Sequence, residues 1–325
     1  MIPDLAHSIP DLAHSTPELQ PTVVDGSALP SAEPIATPTA APWVTIFAIP
    51  KPFTESTSVI QKNAIRSWQQ LRPFVDVLLI GDEPGIAEAA RELGVRHARN
   101  LRTNEWGTPL LSSAFQTVHE LSAAPILAYC NCDVILLPNF TRMVERLLNA
   151  DLDRFVAFGQ RTDLHVEREL DFDNPAEMEK LLVECRQQGE PSSIVCKEYF
   201  VFNRQLYDPI PDFAVGRGNW DNWMIYFAKQ QRLPVVDVTS CVTAIHQSHD
   251  YSHFGKSRWQ CYVAGNEARE NQRLAGGRHV ISGSTPTWSL DEDGVRKVRL
   301  SGLNLKFWLD GLRFAKLTKE LVFGR

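Results

Sequence analysis

The sequence predicts an α/β protein, a mostly parallel central sheet flanked by helices in a single domain that follows a separate N-terminal tail. Three observations predict it. From Trp43 onward, short apolar runs that read as strands alternate with stretches of helical period, the signature of βαβ units. The 325 residues, 43% apolar and 22% charged, suit one α/β domain with a large core. Before Trp43 the texture is different: residues 1–42 hold eight prolines and neither Lys nor Arg.

That opening segment repeats a heptapeptide, Ile2 to Ser8 and then Ile9 to Ser15, with a degraded third copy from Thr16. Proline at this density stops helix and sheet propagation, and three short copies are too few for a solenoid, so residues 1–42 are expected to form a disordered acidic tail. The tail carries most of the formal charge of -6, which leaves the remainder nearly neutral. A neutral body without clustered Lys and Arg excludes duplex nucleic acid as a partner.

The elements follow in order. Val44 to Ala48 reads as a buried strand, and a helix from about Ser56 places Ile60, Ala64, Trp68 and Leu71 on one face before Pro73 ends it. Val75 to Ile80 is the second strand and stops at Gly81-Asp82. Residues 86–93 form a short helix closed by Gly94, and Val95 to Ala98 a third strand. Thr108-Pro109 looks like a helix start, with Leu111, Phe115, Val118 and Leu121 as its buried stripe. Pro125 to Cys130 is then a central strand. Further strands are expected at Phe155 to Phe158, Tyr199 to Phe202 and Pro234 to Asp237, with helices at 175–188 and about 219–231.

The six cysteines show no CxxC pair and no regular framework, so they read as reduced thiols. No apolar run approaches the roughly 20 residues of a spanning helix, and the N-terminus lacks the basic start of a signal peptide. The expectation is a cytoplasmic chain. The C-terminal segment, Leu303 to Arg325, sets Leu305, Leu309 and Leu312 against Lys306, Arg313, Lys319 and Arg325. It forms an amphipathic helix packed on the domain or, less favoured, one that touches an anionic membrane.

Ligands of open α/β sheets lie beyond the carboxyl ends of the strands, and three polar stretches fall at such places. Asn131-Cys132-Asp133 follows the central strand, where an acid serves either to cap a turn or to hold Mg²⁺ or Mn²⁺ against a diphosphate. Gly216-Arg217-Gly218-Asn219 leads into a helix beginning Trp220-Asp221-Asn222-Trp223. Asp221 there is a catalytic base, a sugar ligand or a helix-end carboxylate. His246-Gln247-Ser248-His249-Asp250-Tyr251-Ser252-His253 is dense in imidazoles that suit a divalent ion.

Together these three motifs resemble a family of bacterial and plant nucleotide-diphospho-sugar transferases of GT-A fold, over about residues 43–290. The resemblance implies a Rossmann-like sheet, a UDP-sugar or similar donor, and Mn²⁺ or Mg²⁺ at the position of an Asp-x-Asp motif. It implies Asp133 and His246 as metal ligands and Asp221 and Glu198 as the catalytic carboxylates, Glu198 standing where an Asp precedes the aromatic residue in the family. Pro50 and Lys51 after the first strand, Asp82 after the second, and Asn131, Arg217 and His249 are the implied donor contacts. Asn131 departs from the family by replacing the first acid with an amide. Residues 291–325 would be an extension, and the acceptor a glycan, a lipid-linked sugar or a small molecule. Two other readings remain: a metal-dependent hydrolase built on His246, His249, Asp250 and His253, and a non-catalytic nucleotide- or glycan-binding module.

Overall fold

Strand β1 (Val44–Ala48), helix α1 (Glu55–Gln69), strand β2 (Val75–Ile80), helix α2 (Ile86–Leu93) and strand β3 (Arg96–Ala98) open the fold. They are followed by α3 (Leu111–Leu121), β4 (Ile126–Cys130), β5 (Val134–Leu136) and α4 (Asn139–Leu148). The chain continues through β6 (Val156–Gln160), β7 (Thr162–Leu164), α5 (Pro175–Gln188), β8 (Glu190–Pro191) and β9 (Lys197–Asn203). Last come α6 (Trp220–Gln230), β10 (Val235–Asp237), β11 (Ala244–Gln247), α7 (Asn266–Leu274), β12 (Trp288–Asp291) and β13 (Gly294–Lys297). This computed structural model describes residues 41–192, 196–248, 264–277 and 285–298. The heptapeptide repeat, His249 to His253 and the C-terminal amphipathic segment lie outside the described residues.

The main sheet runs β13-β12-β10-β6-β9-β4-β1-β2-β3. Five of its eight pairings are parallel; β9 runs antiparallel to both β4 and β6, and β13 to β12. The α/β class with a mostly parallel sheet is thus as the sequence predicted. Alternate residues of each strand feed two cores. Val44, Ile46 and Ala48 face α1, α2 and α4, whereas Phe47 faces α3 and α6. Covered on both faces, β1 and β4 are buried at every position, and apart from Thr45 every residue in them is apolar.

A second, smaller sheet, β5-β11-β7-β8, branches away after β4 and covers a third core with α5. Helix α1 bridges the two sheets. Its Trp68 is fully buried and donates its indole N–H to the Val134 carbonyl at 3.0 Å. Loss of that ring would cost about 3–5 kcal/mol and loosen the start of β5. Gln247, also fully buried, donates from Nε2 to the Ile60 carbonyl (2.8 Å) and accepts from Asn63 Nδ2 (3.0 Å), tying β11 to α1.

Two sequence expectations need correction. Thr108-Pro109 does not start α3: Pro109 bridges Thr103 and Leu110 bridges Ala214, so the helix begins at Leu111. Asn104 explains the difference, because its Oδ1 accepts from the Trp106 and Thr108 N–H groups at 3.0 and 2.9 Å and holds a turn in place of a cap. Leu121 is 45% exposed instead of buried. The core position four residues past Val118 falls on Ser122, whose hydroxyl is 2.8 Å from that of Thr45.

Candidate functional site

Strand order reverses between β1 and β4, since β2 and β3 lie to one side of β1 and β4 to the other. A crevice opens beyond the carboxyl ends at such a switch point. After β1, Pro50 is buried and the Lys51 backbone is pinned by Gln61, whose amide accepts from Lys51 N–H (2.7 Å) and donates to Lys51 C=O (2.9 Å). After β2, Gly81 takes a φ of 136° and Asp82 is exposed, 3.6 Å from Arg99. After β4 comes the turn Asn131-Cys132-Asp133. Its Cys132 thiol points into the core, where burial, and then the nearby Asp133, push its pKa well up, so it is inert.

Asp133 and His246 meet although they are far apart in the chain. The register explains it: β11 pairs antiparallel with β5, placing His246 opposite Val134, and Gln247 N–H donates to the Asp133 carbonyl at 3.0 Å. On its other side β11 pairs with β7, placing His246 opposite Asp163. His246 Nδ1 lies 2.7 Å from Asp163 Oδ1, and Nε2 lies 3.7 Å from Asp133 Oδ2. The first contact is a hydrogen bond; the second is too long for one and acts as a charge attraction. Burial opposes the imidazolium, but Asp133 and Asp163 outweigh it and the pKa of His246 is pushed up to about 9. Burial likewise pulls Asp163 upward, yet His246 and Arg161 together hold it below the usual carboxylate range.

Arg161 extends the network, with Nε 2.9 Å from Asp163 Oδ1 and Nη1 donating to Glu198 Oε1. The other oxygen of Glu198 accepts from Asn131 Nδ2. Glu198 is the residue beyond the last β4–β9 pair, Cys130 with Tyr199, and Asn131 N–H donates to its carbonyl at 2.9 Å. Burial raises the Glu198 pKa; Arg161 works against that and Asp133 adds to it. Both Glu198 oxygens are therefore engaged within the cluster.

A second carboxylate stands at the start of α6. Asn219 takes a left-handed φ of 82° ahead of the helix, which turns the chain so that Asp221 falls in its first turn. Asn222 links it to a buried cation: Lys197 Nζ donates to Asn222 Oδ1 and Asn222 Nδ2 to Asp221 Oδ1, both at 3.2 Å. Burial raises the pKa of Asp221, partly offset by Lys197, and burial lowers that of Lys197. Lys197 and Glu198 are neighbours, so β9 joins the two carboxylate groups. The tryptophans of this helix are core. Trp220 packs edge-on against Tyr129 at 5.3 Å, and Trp223 stacks on Phe227 at 4.8 Å.

Arg217 pairs with α7: its guanidinium holds Glu267 at 2.6 Å, and Glu267 also accepts from Asn104 at 2.9 Å. His249 lies outside the described residues. Sequence reasoning missed Arg161, Asp163, Lys197 and Asn222. The signal for the first two was there, an Arg-x-Asp just past the strand that ends at Gln160. A cleft of about 500 Å³ between the end of α1 and residues 169–173 lies apart from these groups.

The donor set fits a divalent ion shared with a diphosphate. A metal-bound imidazole gives its other ring N–H to a carboxylate, and His246 does this toward Asp163 while Nε2 faces the Asp133 carboxylate. Among the described residues no three His, Cys, Asp or Glu side chains form a closed metal site. Two protein ligands with phosphate oxygens and water completing the shell is how Mg²⁺ and Mn²⁺ are held on nucleotides, unlike a three-ligand zinc centre.

No protein-family sequence model matches the chain, and no curated protein sequence does. Among solved structures the chain is similar to glucosyl-3-phosphoglycerate synthase from Mycobacterium tuberculosis in complex with Mn²⁺, UDP and phosphoglyceric acid. That match has 13% identity and a TM-score of 0.44, over 74% of this chain and 81% of that one. The same enzyme with Mn²⁺, UDP-glucose and glycerol 3-phosphate matches at 14% identity and a TM-score of 0.43, over 81% and 89%. Among the described residues no helix is long and apolar enough to cross a membrane.

Proposed function

We propose that residues 43–290 form a glycosyltransferase of GT-A architecture that moves a sugar from a nucleotide-diphosphate donor, UDP-sugar favoured, with Mn²⁺ or Mg²⁺ bound. The observation that carries the proposal is Asp133 Oδ2 facing His246 Nε2 across 3.7 Å, at the sheet edge where strand order reverses. Asp133 and His246 would hold the ion; when bound, it neutralises charge on the departing diphosphate. Asp163 fixes the His246 tautomer and ring plane. Lys51 and Asp82, on the neighbouring strand ends, flank the nucleotide. Asp221, with its pKa raised by burial, takes the proton of the acceptor hydroxyl.

The test is ligand-induced stabilisation. UDP with Mn²⁺ should raise the Tm of the chain, and neither alone should match the pair, because a ligand specific to the native state stabilises by RT ln(1 + [L]/Kd). Slow Mn²⁺-dependent hydrolysis of a UDP-sugar should accompany it. Equal stabilisation by Mn²⁺ with and without UDP would overturn the reading and leave the histidine-cluster hydrolase.

A further inference from the structure

Lys197 is a cation to which the chemistry above gives no task, and it is only 4% exposed. A buried ammonium is costly unless it is paired and hydrogen-bonded. An irregularity in the sheet decides where it goes. Between the pairs Phe158–Phe200 and Gln160–Lys197, β6 advances two residues and β9 three. Strict alternation would send Lys197 to the face of Tyr199 and Val201, which belongs to the core under α1 and α4. The extra residue in β9 returns it to the opposite face, where Nζ lies 5.7 Å from the centre of the Phe158 ring and meets the start of α6.

The partners there form a line. Lys197 Nζ donates to Asn222 Oδ1, and Asn222 Nδ2 donates to Asp221 Oδ1, both at 3.2 Å. An ammonium has donors only, so Asn222 turns its oxygen to Lys197 and its NH₂ group is left for the carboxylate. Asn222 is buried, whereas Asp221 keeps part of its surface open. Among the described residues the titratable groups acting on this line are Lys197, Asp221 and the thiol of Cys196 ahead of β9. Burial pushes the Cys196 pKa up and keeps it neutral, and Arg161 and Glu198 act on it from the other cluster.

We propose that Lys197 and Asn222 are positioning residues that hold the Asp221 carboxylate in the orientation and charge state that a base for the acceptor hydroxyl needs. This rests on the reading of Asp221 as that base; the line of contacts does not. Burial works against the charge on Asp221, and Lys197 works for it. The amide between them keeps the attraction moderate. A direct ion pair would hold the carboxylate ionised more firmly but make it a weaker base.

The experiment compares the wild-type chain with Lys197→Met, Asn222→Ala, Asp221→Asn and the double variant Lys197→Met/Asp221→Asn. It reads Tm without ligands and the pH profile of kcat for Mn²⁺-dependent UDP-sugar hydrolysis, with water as the acceptor. Lys197→Met should cost about 3 °C more in the wild-type background than beside Asp221→Asn, because only the first leaves a carboxylate without its cation. In Lys197→Met the acid limb of the profile should move up by about one pH unit, since an opposite charge no longer favours the ionised form. Asn222→Ala keeps the cation and removes its link, and should move the limb the same way by about half as much. Additive Tm changes overturn the line of contacts. Non-additive Tm changes with an acid limb unmoved in both variants overturn the positioning role. Full turnover by Asp221→Asn with non-additive Tm changes upholds the contacts and removes Asp221 as the base instead. If the wild-type chain hydrolyses no UDP-sugar, the glycosyltransferase reading falls and the Tm comparison alone decides the contacts.

Discussion

Two buried polar clusters in this molecule are built from the same residue types and do different things. Around Glu267, one carboxylate meets one guanidinium, Arg217, and an amide donor from Asn104, so charge balances and donors match acceptors. Around His246, the carboxylates of Asp133, Asp163 and Glu198 face one permanent cation, Arg161, and one titratable ring. The first cluster is complete as it stands and fastens α7 to the loop ahead of α6. The second carries excess negative charge in a half-dry place, which is costly unless a cation joins it. Charge balance, more than residue type or burial, is what sets the two clusters apart.

The largest effect should come from the unbalanced cluster. Asp133→Asn should lower Mn²⁺-dependent donor turnover by roughly 10²-fold or more. His246→Ala should give a similar loss, and the double variant little more than the poorer single one, as for groups acting on one ion. Fully additive losses in kcat/KM would split the pair into two sites. If Glu267→Gln cut turnover as far at unchanged Tm, the contrast between the clusters would be lost.

Next in size is a pH effect confined to the His246 cluster. The folded pKa of His246, about 9, stands above its unfolded value of 6.5. Its contribution to stability is therefore fully present below pH 6.5 and is lost as pH rises through 9. The amount is on the order of 3 kcal/mol, at about 1.4 kcal/mol for each pKa unit. Chemical denaturation of the metal-free protein on either side of this window measures it, and His246→Gln should remove the difference. A slope unchanged in that variant would place the titration elsewhere.

A smaller effect belongs to the balanced cluster: Glu267→Gln should lower stability by about 1–2 kcal/mol, seen as a Tm lower by a few degrees, with Mn²⁺ affinity unchanged. The smallest is removal of residues 1–42, which should leave Tm and UDP binding as they were, since a proline-rich acidic tail brings no core. A large fall in Tm would show that the tail packs on the domain.

The sequence shows why some of this could be read in advance. Asp133 and His246 each follow an apolar run; Asp133 lies just past the end of β4, and His246 is the third residue of β11. Strands covered on both faces, such as β1 and β4, announce themselves as nearly continuous apolar stretches. Asp163 escaped notice because β7 is three residues long and only half buried, so no alternation marks it. Leu121 misled because spacings of three and four both continue a helical stripe, and only the sheet beneath decides between them. The contact between Asn131 and Glu198 spans 67 positions and is invisible until β9 is laid against β4.

That placement of β9 also sets the order in which the molecule is completed as it leaves the ribosome. Strand β4 ends at Cys130 and β6 at Gln160, yet neither has its inner neighbour until the antiparallel strand ending at Asn203 arrives between them. Until then the nascent sheet has an open apolar edge, the kind of surface that pairs with other chains. The β5–β11–β7 layer closes later still, with Gln247. Asp133 is thus synthesised well before the histidine that faces it, and the newborn chain brings the two side chains together only after β9 has filled the gap between β4 and β6.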